Sequence, residues 1–432
     1  MRARYDQLVF EPAIPATMLG RGAVKITGAS ASRLILQSEA RSTSRTHRAT
    51  LLVVLPGDER HEFDVDVETT NHEESSPYHL LAMPRAEFGS EFQRLLARLR
   101  KGQHITLCRD EDVEASDRDA GFAEWKFRPK TLPEMDWDDI ATRRSFLGRT
   151  FDWPIMIPGM TGGLTQGAEI NHRLARAAAA FNIPMGVGSQ RVALDHPEYG
   201  RVFEIKREVP GVFLIGNIGI AQLTGPDALD KCRRAVEMIE ADALAIHANV
   251  LQEVLQVEGD HVFRGLKDTI LTIASKLGRP VILKEVGVGV DPETASELLS
   301  GGLAAIDIGG KGGTSWGYIE SLRSSSSLVK SIGRTFRDFG IPTAHALREL
   351  RTQCPSAPLI ATGGIRDGLD IAKAVALGAT MAGVGLPLFR AALESQESVE
   401  RLLMTLGEGL KTTMICVGAR ELDQLATRLY RA

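Results

Sequence analysis

The chain lacks most of the features that would place it outside the soluble enzymes. It has four cysteines, Cys108, Cys232, Cys354 and Cys416, and none belongs to a CxxC pair. Structural zinc and a disulfide framework both need clustered cysteines, so neither is expected, and a reducing, cytoplasmic setting follows. No run of about 18 apolar residues is available to cross a bilayer, and the opening Met1-Arg2-Ala3-Arg4-Tyr5-Asp6 has no apolar leader core. An excess of one charge is missing as well. Against 51 Lys and Arg stand 55 Asp and Glu, a net charge of -4, which gives nucleic acid no basic field to bind. What is present, 432 residues of which 43% are hydrophobic and 25% charged, is ample for a barrel and a further domain.

From residue 154 onward short apolar runs recur, each ending in glycine or small polar residues: 154–160, 184–188, 212–219, 243–247, 281–286, 304–309, 358–363 and 380–385. Stretches of helical periodicity, such as 169–181 and 228–239, separate most of them. Apolar strands alternating with amphipathic helices read as parallel βαβ units. Eight of them predict an α/β fold of the (β/α)8 TIM barrel type. An open doubly wound sheet is the alternative, because periodicity does not show closure.

Ahead of the barrel, residues 1–97 are expected to form a small N-terminal α+β module, with the barrel domain spanning 98–432. The module has β-like runs at 51–55 and 62–67 around a Pro56-Gly57-Asp58 turn, a polar stretch at 69–78 and an amphipathic helix near 88–99. His72, His79, Glu73 and Glu74 read better as a solvated loop than as metal ligands. Arg41 and Arg45 could grip a phosphate but are too generic to name a regulator.

Chemistry in a barrel of this kind collects at the C-terminal ends of the strands. The run His247-Ala248-Asn249-Val250-Leu251-Gln252-Glu253 leaves the fourth of these strands with an imidazole, two amides and a carboxylate. Imidazole and amides donate to phosphate oxygens, and a carboxylate is the hard donor that Mg²⁺ prefers. A polar helix start after a buried strand would look the same. Lys284, emerging from Val281-Ile282-Leu283, is either a Schiff-base nucleophile or a fixed positive charge, and an ion pair with Glu285 or another acid is the plainer reading. Gly363-Gly364 and Gly383-Val384-Gly385 on the last two strands suit a cofactor phosphate, since backbone N–H groups approach closely there and a helix N-terminus follows. With Lys284 read as a fixed charge that favours a reduced ring, flavin mononucleotide fits this set.

These strings, taken together, resemble type 2 isopentenyl diphosphate isomerase, the FMN-dependent isomerase. The resemblance rests on MTGG at Met160, GSQR at Gly188, NIG at Asn217, HxNxxQE at His247, KEVGxG at Lys284, GGKGGTSW at Gly309, GIPT at Gly340 and GGIRDGLDIAKAxALGA at Gly363, in that order. Arg100-Lys101-Gly102-Gln103-His104-Ile105 resembles the family's basic opening motif, and Thr131-Leu132-Pro133-Glu134 its approach to the first strand. The match covers roughly 98–432, so 1–97 reads as an addition.

The resemblance implies interconversion of isopentenyl and dimethylallyl diphosphate. A proton is gained at one end of the allylic unit and lost at the other, with no net redox. It further implies reduced FMN, with NADPH as reductant, Mg²⁺, and a homo-oligomer, a tetramer or larger. Carried over to matching positions, Gln252 and His247 are the catalytic pair. Arg100, Lys101, Ser189, Gln190, Arg191, Asn249 and Gln252 bind substrate, and Glu253 binds the metal. Met160, Thr161, Gly162, Ser189, Asn217, Lys284 and Thr314 contact the flavin ring and ribityl chain. Gly364, Ile365, Arg366, Gly385 and Leu386 surround its phosphate.

The chain departs from the family pattern in four places. Gln103 replaces an acid, Gly309 a serine beside the flavin, Phe339 a tryptophan before Gly340, and Ala248 a larger apolar residue. These substitutions leave a related prenyl diphosphate open as substrate. Two other classes stay in view. A 2-hydroxy acid oxidase would share the phosphate glycines and lysine, but would carry a histidine base and an arginine clamp where 309–316 has Gly, Lys, Thr and Ser. A flavin-binding sensor or scaffold would not need Gln252 and Glu253 together.

Overall fold

The structure is a computed structural model and describes residues 8–18, 22–30, 33–38, 46–55, 59–69, 78–84, 103–160, 165–256, 259, 261–324 and 326–432. By its internal contacts the chain divides into two compact units. One consists of Met1–Leu107, Gln252–Gly259 and Gly317–Phe336, the other of Cys108–Leu251, Asp260–Trp316 and Arg337–Ala432.

In the first unit six strands, β1 (Leu8–Met18), β2 (Gly22–Ser30), β3 (Arg33–Ser38), β4 (Thr46–Leu55), β5 (Glu59–Thr69) and β6 (Tyr78–Pro84), close into an antiparallel barrel in the order β1-β2-β3-β6-β5-β4. Pairing of β1 with both β2 and β4 completes the ring, and full closure removes exposed sheet edges. The two expected strands are there as β4, which starts earlier, and β5, which is longer at both ends, with Val53 and Val65 buried. The other four were not legible. Pro12 and Pro15 lie inside β1 and glycines inside β2, residue types that argue against a strand. The register between β1 and β2 shifts between Val9 and Ile14, the kind of irregularity that lets a strand take up Pro12. The expected helix at 88–99, the turn at 56–58, and Arg41, Arg45, His72, Glu73 and Glu74 lie outside the described residues.

In the second unit the eight expected strands form one parallel sheet. They are β7 (Ile155–Met156), β8 (Met185–Gly186), β9 (Leu214–Gly219), β10 (Ala243–Ala248), β11 (Val281–Glu285), β12 (Ala305–Asp307), β13 (Leu359–Thr362) and β14 (Met381–Gly383), in the order β7-β14-β13-β12-β11-β10-β9-β8. A parallel bridge between Ile157 and Met185 joins the first strand to the second. That bridge decides for the (β/α)8 barrel against the open sheet. Both faces of such strands are covered, which is why β9 and β11 are buried along their whole length.

The barrel interior packs Met156, Ile215, Ala245, Ile282, Ile360 and Met381 into one cluster with Phe146 and Phe151. The two phenylalanines come from a hairpin of Arg144–Phe146 and Arg149–Phe151. Phe151 meets Phe213 edge to face at 5.4 Å, and burial of one such ring contributes about 1.5–3 kcal/mol. Phe213 immediately precedes β9, so the plug sits at the N-terminal ends of the strands and the C-terminal ends are left for chemistry. Helices needed below are α1 (Val250–Leu255), α2 (Trp316–Arg323), α3 (Ser327–Thr335) and α4 (Leu386–Glu394). Among the described residues no helix is long and apolar enough to cross a membrane.

Candidate active site

Three polar residues interlock across the larger barrel, two on the successive strands β9 and β10 and one just beyond β8. Asn217 in β9 donates from Nδ2 to the Val187 carbonyl at 2.9 Å, which leaves its Oδ1 as the acceptor for His247 Nδ1 at 2.8 Å. His247 therefore carries a proton on Nδ1, and its Nε2 is an acceptor in the neutral ring. Gln190 takes the other side of Asn217. Its Oε1 accepts the Asn217 backbone N–H at 2.9 Å, and its Nε2 donates to the Ala235 carbonyl at 2.8 Å. Fully buried, with its amide spent inside the fold, Gln190 braces β9 and is not turned toward a diphosphate as expected. Its neighbour Ser189 is half-buried, Arg191 sits 3.9 Å from Asp195 on its own helix, and Asn249 is buried.

Lys284 ends β11 with its Nζ 3.0 Å from the Glu285 carbonyl and 3.3 Å from Asp307 Oδ2. The ion pair of the plainer reading exists, made with Asp307 rather than with the Glu285 carboxylate. A fixed charge and an ion pair are here the same arrangement. Asp307 itself is buried, and its Oδ1 has no hydrogen-bond partner among the described residues. Both residues line a small cavity of about 10 Å³ above the core, together with Pro158, Gly159, Asn217 and Ala245. The Glu285 carboxylate is used differently. Its Oε2 accepts the backbone N–H groups of Val286, Gly287, Val288 and Gly289 and so folds the loop after β11. Burial pushes this carboxyl up to about 7, with the four N–H donors working against the rise.

The glycine turns at the ends of β12 and β13 are made by close backbone approach. Gly309 has φ +50°, and a Cβ there would stand 1.9 Å from the Glu285 carbonyl oxygen. The serine that the family often carries at this place has no room on this backbone. Gly363 has φ +112°, and a Cβ would meet the Gly310 carbonyl at 2.1 Å. Gly364 follows it, half-buried, and the Ile365 side chain is core, so only the backbone of Ile365 is available to a ligand. Arg366 is ion-paired with Glu114 and bonds the Ile365 carbonyl at 3.0 Å. Gly385 caps α4, whose first residue is Leu386. Met160 is half-buried beyond β7, and Thr314 bridges to Glu114 through the backbone. Thr161, Gly162, Arg100 and Lys101 lie outside the described residues.

A second group of side chains belongs to the first unit. Gln252 in α1 donates from Nε2 to Glu320 Oε1 at 2.8 Å, and His104 Nε2 lies 2.9 Å from the same oxygen. Arg323 Nη1 bonds the other oxygen, Oε2. Burial by itself would raise the Glu320 carboxyl, but the charges of Arg323 and His104 and the donated hydrogen bonds hold it well below the usual carboxylate range. Glu253, next to Gln252, is buried. Among the described residues no three His, Cys, Asp or Glu side chains gather as a metal site.

A family model for FMN-dependent dehydrogenases matches residues 100–194 and 231–432. Curated relatives named isopentenyl-diphosphate delta-isomerase match more closely. The protein of Nostoc sp. is 44% identical over 326 residues, 76% of this chain and 93% of the relative. Those of Thermococcus onnurineus and Stutzerimonas stutzeri are 45% and 41% identical, covering 89% and 94% of their lengths. The chain belongs to the FMN-dependent isopentenyl-diphosphate delta-isomerase family. Solved structures of an active chimera of (S)-mandelate dehydrogenase and of a Pediococcus acidilactici lactate oxidase share the fold at TM-scores of 0.55 and 0.57. Each is 16% identical and covers 79% of this chain; the chain spans 99% and 94% of theirs.

For this member of the isopentenyl-diphosphate delta-isomerase family, the structure adds residues to the candidate site that sequence reasoning missed. Asp307 had a signal, an acid inside the apolar run 304–309. Glu320 and Arg323 had none, because an acid and a base three residues apart on a helix usually form an exposed pair. His104 was visible only as a letter of a motif.

Proposed function

We propose that this protein interconverts isopentenyl and dimethylallyl diphosphate with reduced FMN and Mg²⁺. The observation that carries the reading is the hydrogen bond from the half-buried Gln252 to the buried Glu320, a polar pair that flavin binding alone does not call for. The residues fit FMN. Glycine turns offer backbone N–H groups, Gly385 opens a helix N-terminus, Lys284 is a held cation, and Asp307 Oδ1 is an orphaned acceptor on the cavity wall. They fit Mg²⁺ as well, since that ion commonly takes one or two carboxylates and completes its shell with water and substrate phosphate. Glu253 would be that carboxylate.

When bound in its reduced form, FMN supplies a proton-handling N(5) edge on an electron-rich ring. Around it, Lys284, steadied by Asp307, would hold a positive charge against the ring's developing negative charge. His247, oriented through Asn217, would present Nε2 to the diphosphate end, with Asn249 beside it in sequence. Ser189, Arg191, Arg100 and Lys101 are the remaining donors proposed for the diphosphate, and Gln190 supports them from behind. Gln252 would orient a proton at the allylic carbons without ionising, its amide fixed by Glu320. Gly364, Ile365, Gly385 and Leu386 would take the flavin phosphate through their N–H groups, with the Arg366 guanidinium beside them, since the Arg366 N–H is donated to Asp370.

NADPH as reductant, a homo-oligomeric assembly, a cytoplasmic location and the exact prenyl chain accepted belong to the same proposal. So does the division into a 1–97 module and a 98–432 enzyme. The test is anaerobic incubation of the purified chain with FMN, Mg²⁺, NADPH or dithionite and isopentenyl diphosphate, with product analysis. Dimethylallyl diphosphate is the expected product. Bound, reduced flavin without turnover would sink the assignment.

A further inference from the structure

Arg323 is 2% exposed and lies one turn beyond Glu320 on α2. Its Nη1 bonds Glu320 Oε2, and its Nε donates to Gln103 Oε1 at 3.3 Å. A guanidinium does not shed its charge. Out of water it therefore needs a carboxylate to stay buried without a large penalty. Among the described residues Glu320 is the carboxylate that Arg323 contacts, and Gln103 beside it is neutral. The pair is thus locked in its ionised form, and the lock has a consequence on the opposite oxygen. Ionised, Glu320 Oε1 accepts from both Gln252 Nε2 and His104 Nε2. Protonated, the carboxyl becomes a donor, and the Gln252 amide gains by turning its own oxygen toward it.

We propose that Arg323 is a positioning residue that keeps Glu320 a carboxylate, and that it thereby fixes the Gln252 amide with Nε2 on Glu320 and Oε1 turned away from it. Gln103 is part of the arrangement. An acid at that position, which the family's opening motif often carries, would give Arg323 a second carboxylate and loosen its hold on the first. Among the described residues the charged groups acting on Glu320 are Arg323, on its own helix, and His104, from the helical segment 103–110. α1 contributes the neutral Gln252, and no charged side chain of α3 is among them. The orientation of Gln252 matters through the proposed isomerase reading, but the state of Glu320 does not depend on it.

The experiment is an infrared pH titration of the FMN-loaded full chain, followed by the pH profile of isomerase kcat/KM. Wild type should show no protonated-carboxyl stretch from Glu320 between about pH 5 and 8, because its acidity lies far below that window. Arg323→Met should show one that grows as pH falls and is absent when Glu320→Gln is added. In the same variant kcat/KM should fall about tenfold at the acid end, a shift of one pH unit or more in the acid limb, and recover as pH rises. Arg323→Lys should lie between. Gln103→Glu should move the stretch and the limb in the same direction by less, and it decides the matter if neither arginine variant folds. Folded, flavin-loaded variants without the new stretch overturn the proposal whether or not the chain turns over. A chain that shows the stretch but makes no dimethylallyl diphosphate keeps the lock and loses the isomerase.

Discussion

The flavin side and the Glu320 group solve the problem of binding in opposite ways. The first is built from what glycine leaves out: at Gly309 and Gly363 the backbone comes so close to its neighbours that no Cβ fits. The second is built from what long side chains bring in, with a carboxylate, a guanidinium and an imidazole packed out of water and two half-buried amides bonded to them. Backbone N–H groups suit a ligand that must only be held. Titratable side chains in a dry setting suit proton movement, because their charge state answers to their neighbours. The contrast predicts that flavin binding and proton chemistry fail separately.

The strongest break in that contrast is Glu320→Gln. Activity should fall by about 100-fold, the scale of a misplaced group at the reacting atoms once Gln252 loses its fixed acceptor, while flavin absorbance of the purified protein stays at wild-type level. Loss of bound flavin in this variant would erase the distinction. Gly363→Ala is the converse. A methyl group there needs the Gly310 carbonyl to move, so FMN affinity should drop by about tenfold, in line with a strain of 1–3 kcal/mol, as read by flavin fluorescence quenching. Unchanged affinity would show that the turn is not a phosphate cradle.

Glu253→Gln tests whether metal belongs with the side-chain group. The Mg²⁺ concentration for half-maximal activity should rise by about tenfold with FMN still bound; an Mg²⁺ titration that overlays wild type removes Glu253 from the metal. Deletion of 1–97 should leave kcat within about twofold if the barrel is a self-sufficient domain, and a folded but inactive remainder would count against the proposed boundary. The smallest effect concerns Glu285, whose carboxyl is pushed up from 4.5 to about 7. Between those values the folded chain holds a proton that the unfolded chain has lost, so this group's contribution to stability declines as pH rises from about 4.5 to 7, by at most about 3 kcal/mol. Denaturant midpoints of Glu285→Gln should follow a flatter course over that range than wild type.

How much of this was legible follows the same division. Runs such as 281–286 announced buried strands, and the glycine pair at 363–364 announced a close backbone turn, because both signals are local. Lys284 was legible as a fixed charge, but its partner was open between Glu285 and another acid, and only the fold brought Asp307 beside it. Gln190 misled because GSQR reads as a row of donors, whereas the turn after β8 points its amide inward to β9. Four of the six N-terminal strands were hidden by prolines and glycines that antiparallel barrels absorb at bulges and edges.

The sequence by itself determined the alternation of strand and helix, the glycines that no other residue can replace, and the string around His247 that marks the family. Those depend on residues a few positions apart, where periodicity and backbone preference act directly. Only the tertiary structure decided that the larger sheet closes through Ile157 and Met185, that Lys284 answers to Asp307, and that Glu320 is a buried carboxylate between Gln252, His104 and Arg323. Each of those joins residues 23 to 216 positions apart or turns on burial, and neither distance in space nor exclusion of water is written in the local pattern.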